Sequence, residues 1–254
     1  MQYDYSIAAT HMALHVLGLL RPYRLAGARK VRLGRLFDGG YVMVDRFDGV
    51  EAAYSLGIGD DASWDLDVAR RGIPVFQYDH SIAEPPARHP LFHWEPKRIA
   101  DRADEAEGAE TLDSLIDRNG HRGFGDMVLK CDIEGSEWRL LAATPNATLG
   151  LFRQIVLELH DFPSLHHRGH ADLVREALAN LTASHRVVHV HANNYSPFCV
   201  IGGVPMPTTM EATLVRLDQG DLSPSDESFP TELDMPCNPD AADLQLGRFA
   251  FGRD

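Results

Sequence analysis

The sequence has few cysteines and no long hydrophobic run near its start. Its 254 residues include three cysteines, Cys131, Cys199 and Cys237, and none of them forms a CxxC pair. This pattern is typical of neither a disulfide framework nor a cysteine zinc site, and it favours a reducing, cytoplasmic location. The apolar stretch at 13–20 is too short for a membrane span and lacks the basic flank of a signal peptide. We therefore expect no membrane partner.

Positive charge is also scarce, because the formal net charge is -13. Phosphate binding needs a basic face, so we expect no nucleic-acid partner. No internal repeat and no linker rich in proline, glycine or serine divides the chain. A chain of this length fits one large α/β domain. We predict a helical extension over residues 1–30 and one domain over residues 31–254.

Helix and strand patterns alternate along the chain. Residues 5–20 place apolar side chains at helical spacing before Pro22, which predicts a helix over the sheet edge or the cofactor. After a turn at Asp38–Gly39, the patterns predict strands at 52–56, 74–78, 91–94, 127–131, 154–159, 186–191 and 213–217, and helices at 64–71, 111–118, 136–143 and 171–184. This alternation indicates a Rossmann-like α/β fold with a mainly parallel, doubly wound sheet. Ligands of such folds bind at the carboxyl ends of the strands.

A glycine pair follows the first strand of this alternation. The segment Gly57-Ile58-Gly59-Asp60-Asp61-Ala62 matches the dinucleotide pattern GxGxxA, and Asp79 ends the next strand, where such folds place the acid that binds a ribose. The pattern leaves open a dinucleotide and S-adenosylmethionine, since both present an adenosine ribose. Asp60 favours S-adenosylmethionine, because a carboxylate there would repel a pyrophosphate. We expect Gly57, Gly59, Asp60 and Asp79 to bind the cofactor, with the Gly57 backbone close to it.

Further motifs resemble a known family. Residues 129–138 read LKCDIEGSEW, which is similar to the signature LKxDxEGxEW of FkbM-type methyltransferases. Residues 38–42, 54–61 and 157–160 resemble the DGGYV, SxGIGxD and xELH elements of a related methyltransferase-like group. The resemblance covers about residues 30–165. It implies a class I methyltransferase domain that binds S-adenosylmethionine and methylates an oxygen of a small molecule, such as a sugar or a secondary metabolite.

Acidic and histidine side chains follow several strand ends. Asp132 ends the fourth strand, Glu158 and His160 share a face of the fifth, and His191 ends the sixth. Adjacent parallel strands would bring Asp132, His160 and His191 to one rim. Methylation of a hydroxyl needs a base or a metal, so we predict Asp132 and His160 as catalytic residues. Alternatively, Asp132, Glu158 and His160 hold Mg²⁺ or another divalent cation.

These features together predict an S-adenosylmethionine-dependent O-methyltransferase. Its expected partner is a small-molecule methyl acceptor, and the sequence is compatible with a homo-oligomer. Two other functions stay open. The literal GxGxxA match indicates an NAD-dependent oxidoreductase, and a binding protein could keep the fold without turnover.

Overall fold

The chain folds around a seven-stranded sheet in a computed structural model that describes residues 6–251. Tyr5, where the predicted first helix begins, and residues 252–254 of the predicted domain lie outside the described residues. The strands are β1 (Tyr23–Leu25), β2 (Lys30–Leu33), β3 (Tyr41–Val44), β4 (Ala52–Leu56), β5 (Val75–Tyr78), β6 (Phe92–Glu95), β7 (Arg98–Ile99), β8 (Ala109–Glu110), β9 (Met127–Cys131), β10 (Phe152–Leu159), β11 (His185–Ala192), β12 (Cys199–Ile201), β13 (Val204–Met206), β14 (Met210–Arg216), β15 (Leu222–Pro224), β16 (Ser228–Phe229) and β17 (Gly247–Arg248). The helices are α1 (Ile7–Leu19), α2 (Ser63–Ala69), α3 (Leu112–Arg118), α4 (Glu137–Ala143), α5 (Asn146–Leu149) and α6 (Arg168–Ser184).

The order of strands in the main sheet is β11-β14-β10-β9-β4-β5-β6. The pairs from β10 to β6 are parallel, whereas β14 runs antiparallel to both β10 and β11. This is the Rossmann order 3-2-1-4-5-6 with one antiparallel strand inserted before the last position. The predicted Rossmann-like α/β fold is therefore confirmed. The expected adjacency of β10 and β11 is wrong, because β14 lies between them.

The two faces of the sheet are covered differently. Alternate residues of a strand point to opposite faces. Tyr54, Leu129 and Leu157 pack in the apolar cluster formed with α1, α3, α4 and α6. Their neighbours Val128 and Val156 pack in a second cluster with α2 and the β2–β3 hairpin. Side chains on the second face therefore lie beside the β2–β3 hairpin, whose connecting loop contains the Asp38–Gly39 turn.

Local sequence signals explain several helix ends. Thr111 caps α3 in a capping box with Ser114, and Gly120 adopts φ +74° just after this helix, as expected for a left-handed stop. At α2 the N-cap position is Ala62, which has no side-chain cap, and the preceding Asp61 carboxylate accepts hydrogen bonds from the amide and hydroxyl of Ser63 at 3.1 and 2.7 Å. These contacts fix where the chain leaves the glycine turn.

The N-terminal helix packs away from the glycine turn. Ala13, Val16 and Leu17 of α1 are buried in the cluster shared with α6, and the Thr10 hydroxyl donates to the Gly202 carbonyl at 2.6 Å. Of the two predicted positions, over the sheet edge or over the cofactor, the second is not observed, because the apolar face of α1 packs in the cluster that includes α6. The boundary at residue 30 stays a prediction. No helix within residues 6–251 combines the length and the apolar character needed to cross a bilayer.

Candidate functional site

The glycine turn after β4 lies against the end of β9. Gly57 has φ +79°, and a Cβ placed on it would lie 1.6 Å from the carbonyl oxygen of Asp132. Gly59 has φ +57°, and a Cβ there would meet no atom within 4 Å. The end of β9 is therefore one reason for glycine at position 57, and the expected close approach of this backbone to a cofactor stays a prediction. It is Gly59 that has open space beside it.

Asp79 at the end of β5 holds this turn in shape. One of its carboxylate oxygens accepts the amides of Ile58 and Gly59, both at 2.8 Å, and the other accepts the amide and hydroxyl of Ser81 at 2.7 and 2.6 Å. Burial raises the pKa of Asp79, but these hydrogen bonds outweigh it and the pKa is lowered. The four bonds use the acceptor sites that a carboxylate offers. A ribose hydroxyl would have to replace one of these four donors, of which the Ser81 hydroxyl is the one on a side chain.

A cavity of about 310 Å³ opens beside the turn, within the size range of small-molecule sites. It brings together the predicted cofactor residues Gly57, Gly59, Asp60 and Asp79. Its acidic lining consists of Asp38, Asp60, Asp61, Asp79, Asp132, Glu134 and Glu158, and its basic lining consists of Arg35, Lys97, Arg98 and Lys130. Negative charge therefore prevails around the cavity.

The two acids of the turn differ in exposure. The side chain of Asp60 is 94% exposed at the rim and lies 3.9 Å from the guanidinium of Arg35, whereas that of Asp61 is 18% exposed and lies 3.5 Å from the same group. Arg35 thus offsets part of the charge at this rim. The expectation that Asp60 contributes through its charge stays a prediction.

Residues of the 129–138 motif join three strand ends. Lys130 is buried, and its ammonium donates to the Gly57 carbonyl at 2.7 Å. The Glu137 carboxylate is buried and accepts the amides of Ile133 and Gly135 at 2.8 and 3.0 Å. The Trp138 indole donates to the His160 carbonyl at 2.7 Å. Most of the polar motif residues therefore position the loop after β9 against β4 and β10.

Asp132, Glu158 and His160 come together as predicted. One donor atom from each lies within 4.8 Å of the others, and His160 Nε2 is 3.7 Å from a Glu158 oxygen. One Asp132 oxygen accepts the Tyr41 hydroxyl at 3.0 Å, while the other is buried without a hydrogen-bond partner. An unpartnered buried carboxylate oxygen is rare unless a ligand or ion completes it.

The charges in this cluster are strongly coupled. Burial lowers the pKa of His160, but its contact with Glu137 at 3.2 Å and the charges of Glu158 and Asp132 raise it to about 9. The imidazole therefore carries a proton at neutral pH when the cluster is empty. Burial, together with Asp132 and Glu211, raises the pKa of Glu158 well above its ordinary value. A cation among these groups would stabilise their carboxylates.

A second cavity of about 250 Å³ adjoins the first and shares Asp38, Glu134 and Glu158 with it. The remaining lining is polar or aromatic, consisting of His160, Asn193, Tyr195, Ser196 and Thr209. Glu134 in the shared wall has φ +54°, an uncommon conformation for a non-glycine residue that recurs at functional sites. Asp132, Glu158 and His160 thus lie where two cavities meet.

His191 does not join this cluster, contrary to the expectation of a shared rim. It lines neither cavity and instead lies 3.1 Å from both Glu211 and Asp243. The cause is again β14, which separates β11 from β10 and adds Glu211 between them.

Comparisons with known proteins give little sequence similarity. No family model and no curated protein matches the chain. A solved structure described as "Conversion of a Disulfide Bond into a Thioacetal Group during Echinomycin Biosynthesis" has 15% identity and a TM-score of 0.31 over 65% of this chain and 76% of that one. The SAM-dependent methyltransferase from Agrobacterium tumefaciens has 13% identity and a TM-score of 0.31 over 67% of this chain and 56% of that one. Neither adds to the fold assignment, which rests on the strand order.

Sequence reasoning missed residues that complete the site. The Tyr41 hydroxyl donates to Asp132, the Asn193 side-chain amide donates to Glu158 at 2.7 Å, and the Ser81 hydroxyl donates to Asp79. A signal for Tyr41 existed, because it directly follows the Asp38–Gly39–Gly40 turn. Asn193 follows β11, but only the order of the sheet shows that it reaches β10.

Proposed function

We propose that this protein is an S-adenosylmethionine-dependent methyltransferase that methylates an oxygen atom of a small molecule. The observation that carries the proposal is the acidic lining of the cavity at the glycine turn. In a dinucleotide site this region receives a pyrophosphate, which the carboxylates would repel. The sulfonium and ammonium groups of S-adenosylmethionine are positive and suit the same lining. The resemblance to FkbM-type methyltransferases points to the same cofactor.

The protein's own groups would bind and orient the donor. The space beside Gly59 accommodates a ligand next to the turn, and Asp79 either keeps the turn in shape or accepts a ribose hydroxyl in place of Ser81. Bound there, S-adenosylmethionine supplies an electrophilic methyl group. Since methyl transfer is an in-line displacement, the main tasks of the site are alignment of the acceptor and removal of its proton.

We assign the acceptor to the second cavity, because it meets the first at Glu134 and Glu158. Its polar lining favours a small acceptor that carries hydroxyl groups, such as a sugar or a polar secondary metabolite. Glu158 and His160 line this cavity and lie close enough to exchange a proton with a bound hydroxyl group. His160 can serve as the base only after it loses the proton that its raised pKa retains.

A divalent cation would fit the same cluster. An Asp132 oxygen, a Glu158 oxygen and a His160 nitrogen form a compact donor set of the kind that Mg²⁺, Mn²⁺ or related ions accept. Such an ion lowers the pKa of a hydroxyl group that it binds. Asp132 and Glu158 would then hold the ion, while Glu137 would orient His160 through its other ring nitrogen.

Calorimetric titration tests the proposal. We expect saturable binding of S-adenosylhomocysteine and no binding of NADH. Binding of NADH without S-adenosylhomocysteine would instead support the oxidoreductase. If S-adenosylhomocysteine binds, the protein is next incubated with methyl-labelled S-adenosylmethionine and a pool of hydroxylated small molecules. We expect the label to appear on one of these small molecules. Binding without transfer to any acceptor would indicate a protein that keeps the fold without turnover.

A further inference from the structure

Three potential metal ligands meet on the far side of β14 from the site described above. They are His191 at the end of β11, Glu211 on β14, and Cys237 in the segment between β16 and β17. The exposed fractions of these residues are 1%, 5% and 1%, so the cluster is withdrawn from solvent. His191 Nδ1 lies 3.1 Å from one Glu211 oxygen, and Cys237 Sγ lies 3.4 Å from the other.

These spacings match those of a tetrahedral zinc site. Zinc binds histidine nitrogen and carboxylate oxygen at about 2.0–2.1 Å and thiolate sulfur at about 2.3 Å, so neighbouring ligands stand about 3.3–3.6 Å apart. One donor atom from each of the three residues lies within 4.8 Å of the others. The 3.1 and 3.4 Å distances reach different oxygens of Glu211, so this carboxylate would either bind the ion with both oxygens or rotate to present one of them. A thiolate, an imidazole and a carboxylate form a mixed donor set that favours zinc over magnesium or calcium.

A second carboxylate orients the histidine for this role. His191 Nε2 lies 3.1 Å from each oxygen of Asp243. Histidine ligands of metals usually donate their other ring N–H to a carboxylate, which fixes the tautomer and the direction of the ligating nitrogen. Asp243 holds the ring so that Nδ1 faces Glu211 and Cys237. The cluster therefore includes three ligands and an outer partner for the histidine ligand.

The segment that provides Cys237 and Asp243 has little regular structure of its own. No helix or strand is described between β16 and β17. Polar side chains attach it to the sheet, since His189 contacts Asp234 at 2.8 Å and the Asn194 side chain donates to the Asn238 carbonyl at 3.0 Å. A metal ion bound by His191, Glu211 and Cys237 would join this segment to β11 and β14 at the centre of those contacts.

We propose that His191, Glu211 and Cys237 form a structural zinc site that fastens the C-terminal segment to the sheet. The three residues supply three of the four positions of a tetrahedral ion. On binding, the Cys237 thiol releases its proton to solvent, and His191 ligates through an unprotonated Nδ1 while its Nε2–H faces Asp243. This site is separate from Asp132, Glu158 and His160, and it does not depend on the proposed methyltransferase activity.

The test is zinc binding by the full chain, prepared without a polyhistidine tag and stripped with a chelator. We expect about one zinc ion per chain, with Cys237 among its ligands. Cobalt bound in place of zinc should give thiolate-to-cobalt charge-transfer absorption. This band distinguishes the site from the Asp132 cluster, which contains no cysteine. Absence of the band from wild-type protein saturated with cobalt would overturn the proposal.

Variants assign the ligands. Cys237→Ser should remove the cobalt band and weaken zinc binding at least ten-fold, and Asp243→Asn should weaken it about 10–100-fold through the histidine. Cys199→Ser is the matched control, because Cys199 is a free cysteine outside the cluster. Asp132→Asn should leave the band unchanged. An unchanged band in Cys237→Ser, or its loss in Cys199→Ser, would show that the proposed site is wrong and that the residues form only a hydrogen-bonded cluster.

Discussion

Glu158 and Glu211 lie directly opposite each other in the antiparallel pair formed by β10 and β14. Both are buried, and Glu211 is one of the charges that raise the pKa of Glu158. Two carboxylates in this position destabilise a strand pair unless other groups compensate them. Asn193 and His160 approach Glu158, while His191 and Cys237 approach Glu211. Glu158 and Glu211 thus stand between the cluster with Asp132 and His160 and the cluster with His191 and Cys237. Because the pair of carboxylates is itself unfavourable, we infer that each has a role other than stabilising the fold.

Replacement of Glu158 by its neutral isostere should lower the activity of the protein and raise its stability. Glu158→Gln keeps an oxygen that accepts the Asn193 amide, but it removes a buried ionisable group. We expect the free energy of unfolding to rise by about 0.5–2 kcal/mol and methyl transfer to fall by about 10² or more. Chemical denaturation and an activity assay check this. The exposed Glu176→Gln on α6 should change neither quantity, and a loss of stability in Glu158→Gln would contradict the prediction.

The glycines of the turn should respond differently to alanine. Gly59 and Gly72 both have positive φ and open space, so each alanine variant should lose about 1–2 kcal/mol of stability. Only Gly59→Ala should also weaken S-adenosylhomocysteine binding, because Gly72 does not line the cavity. Gly57→Ala should be much less stable than either, owing to the Asp132 carbonyl. Equal melting temperatures for Gly57→Ala and Gly72→Ala would show that the turn does not pack as described.

Asp79 and Ser81 test how the donor ribose binds. Asp79→Ala should weaken S-adenosylhomocysteine binding by about 1.5–3 kcal/mol, the usual effect of losing a charged hydrogen-bond partner. Ser81→Ala removes the hydroxyl that donates to one Asp79 oxygen and keeps the amide that donates to the same oxygen, so it should maintain or increase affinity if the ribose replaces the Ser81 hydroxyl. Calorimetry measures both. Unchanged affinity in Asp79→Ala would remove Asp79 from the donor site.

His160 should affect turnover more than donor binding. If it is the general base, His160→Ala should reduce turnover by about 10²–10⁴ and leave affinity for S-adenosylhomocysteine nearly intact. The exposed His166→Ala serves as the control. Joint loss of donor binding and thermal stability in His160→Ala would assign it a structural role.

Chelation distinguishes activation of the acceptor by a metal ion from activation by a general base. If Asp132, Glu158 and His160 hold a divalent ion, a chelator should abolish turnover and added Mg²⁺ should restore it. Addition of zinc without Mg²⁺ after chelation is the control, so that loss of zinc from the proposed Cys237 site is not mistaken for loss of the catalytic ion. Full activity after exhaustive chelation would leave His160 or simple alignment of the acceptor as the explanation.

His185 should make the fold sensitive to acid. It is fully buried beside the Phe152 carbonyl at 2.8 Å, and burial lowers its pKa to about 4. Between pH 6.5 and pH 4 the unfolded chain binds a proton that the folded chain does not. Stability is therefore complete above pH 6.5 and falls as the pH drops, by about 1.4 kcal/mol per pH unit. Urea unfolding of wild type and His185→Gln should show a smaller pH dependence in the variant, and equal slopes would contradict the assignment.

Local patterns determined much of this protein. The alternating strands and helices, the Thr111 cap, the glycine turn and the grouping of Asp132, Glu158 and His160 follow from short-range rules, because strand ends of a parallel sheet meet at one edge. The resemblance at 129–138 pointed to the loop after β9, which lines the cavity. It did not show that Lys130, Glu137 and Trp138 bind neighbouring strand ends.

Contacts that depend on which strands are neighbours in the sheet could be read only from the tertiary structure. The position of β14 between β10 and β11 removed His191 from the cavity rim and placed Glu211 beside it, since neighbours in a sheet are chosen by pairing over long sequence separations. The same applies to Gly57, whose constraint is a backbone atom 75 residues later, and to Cys237, whose contacts lie on β11 and β14. A sequence determines which groups occur and their local spacing. Which distant groups meet depends on the packing that excludes water from both faces of the sheet.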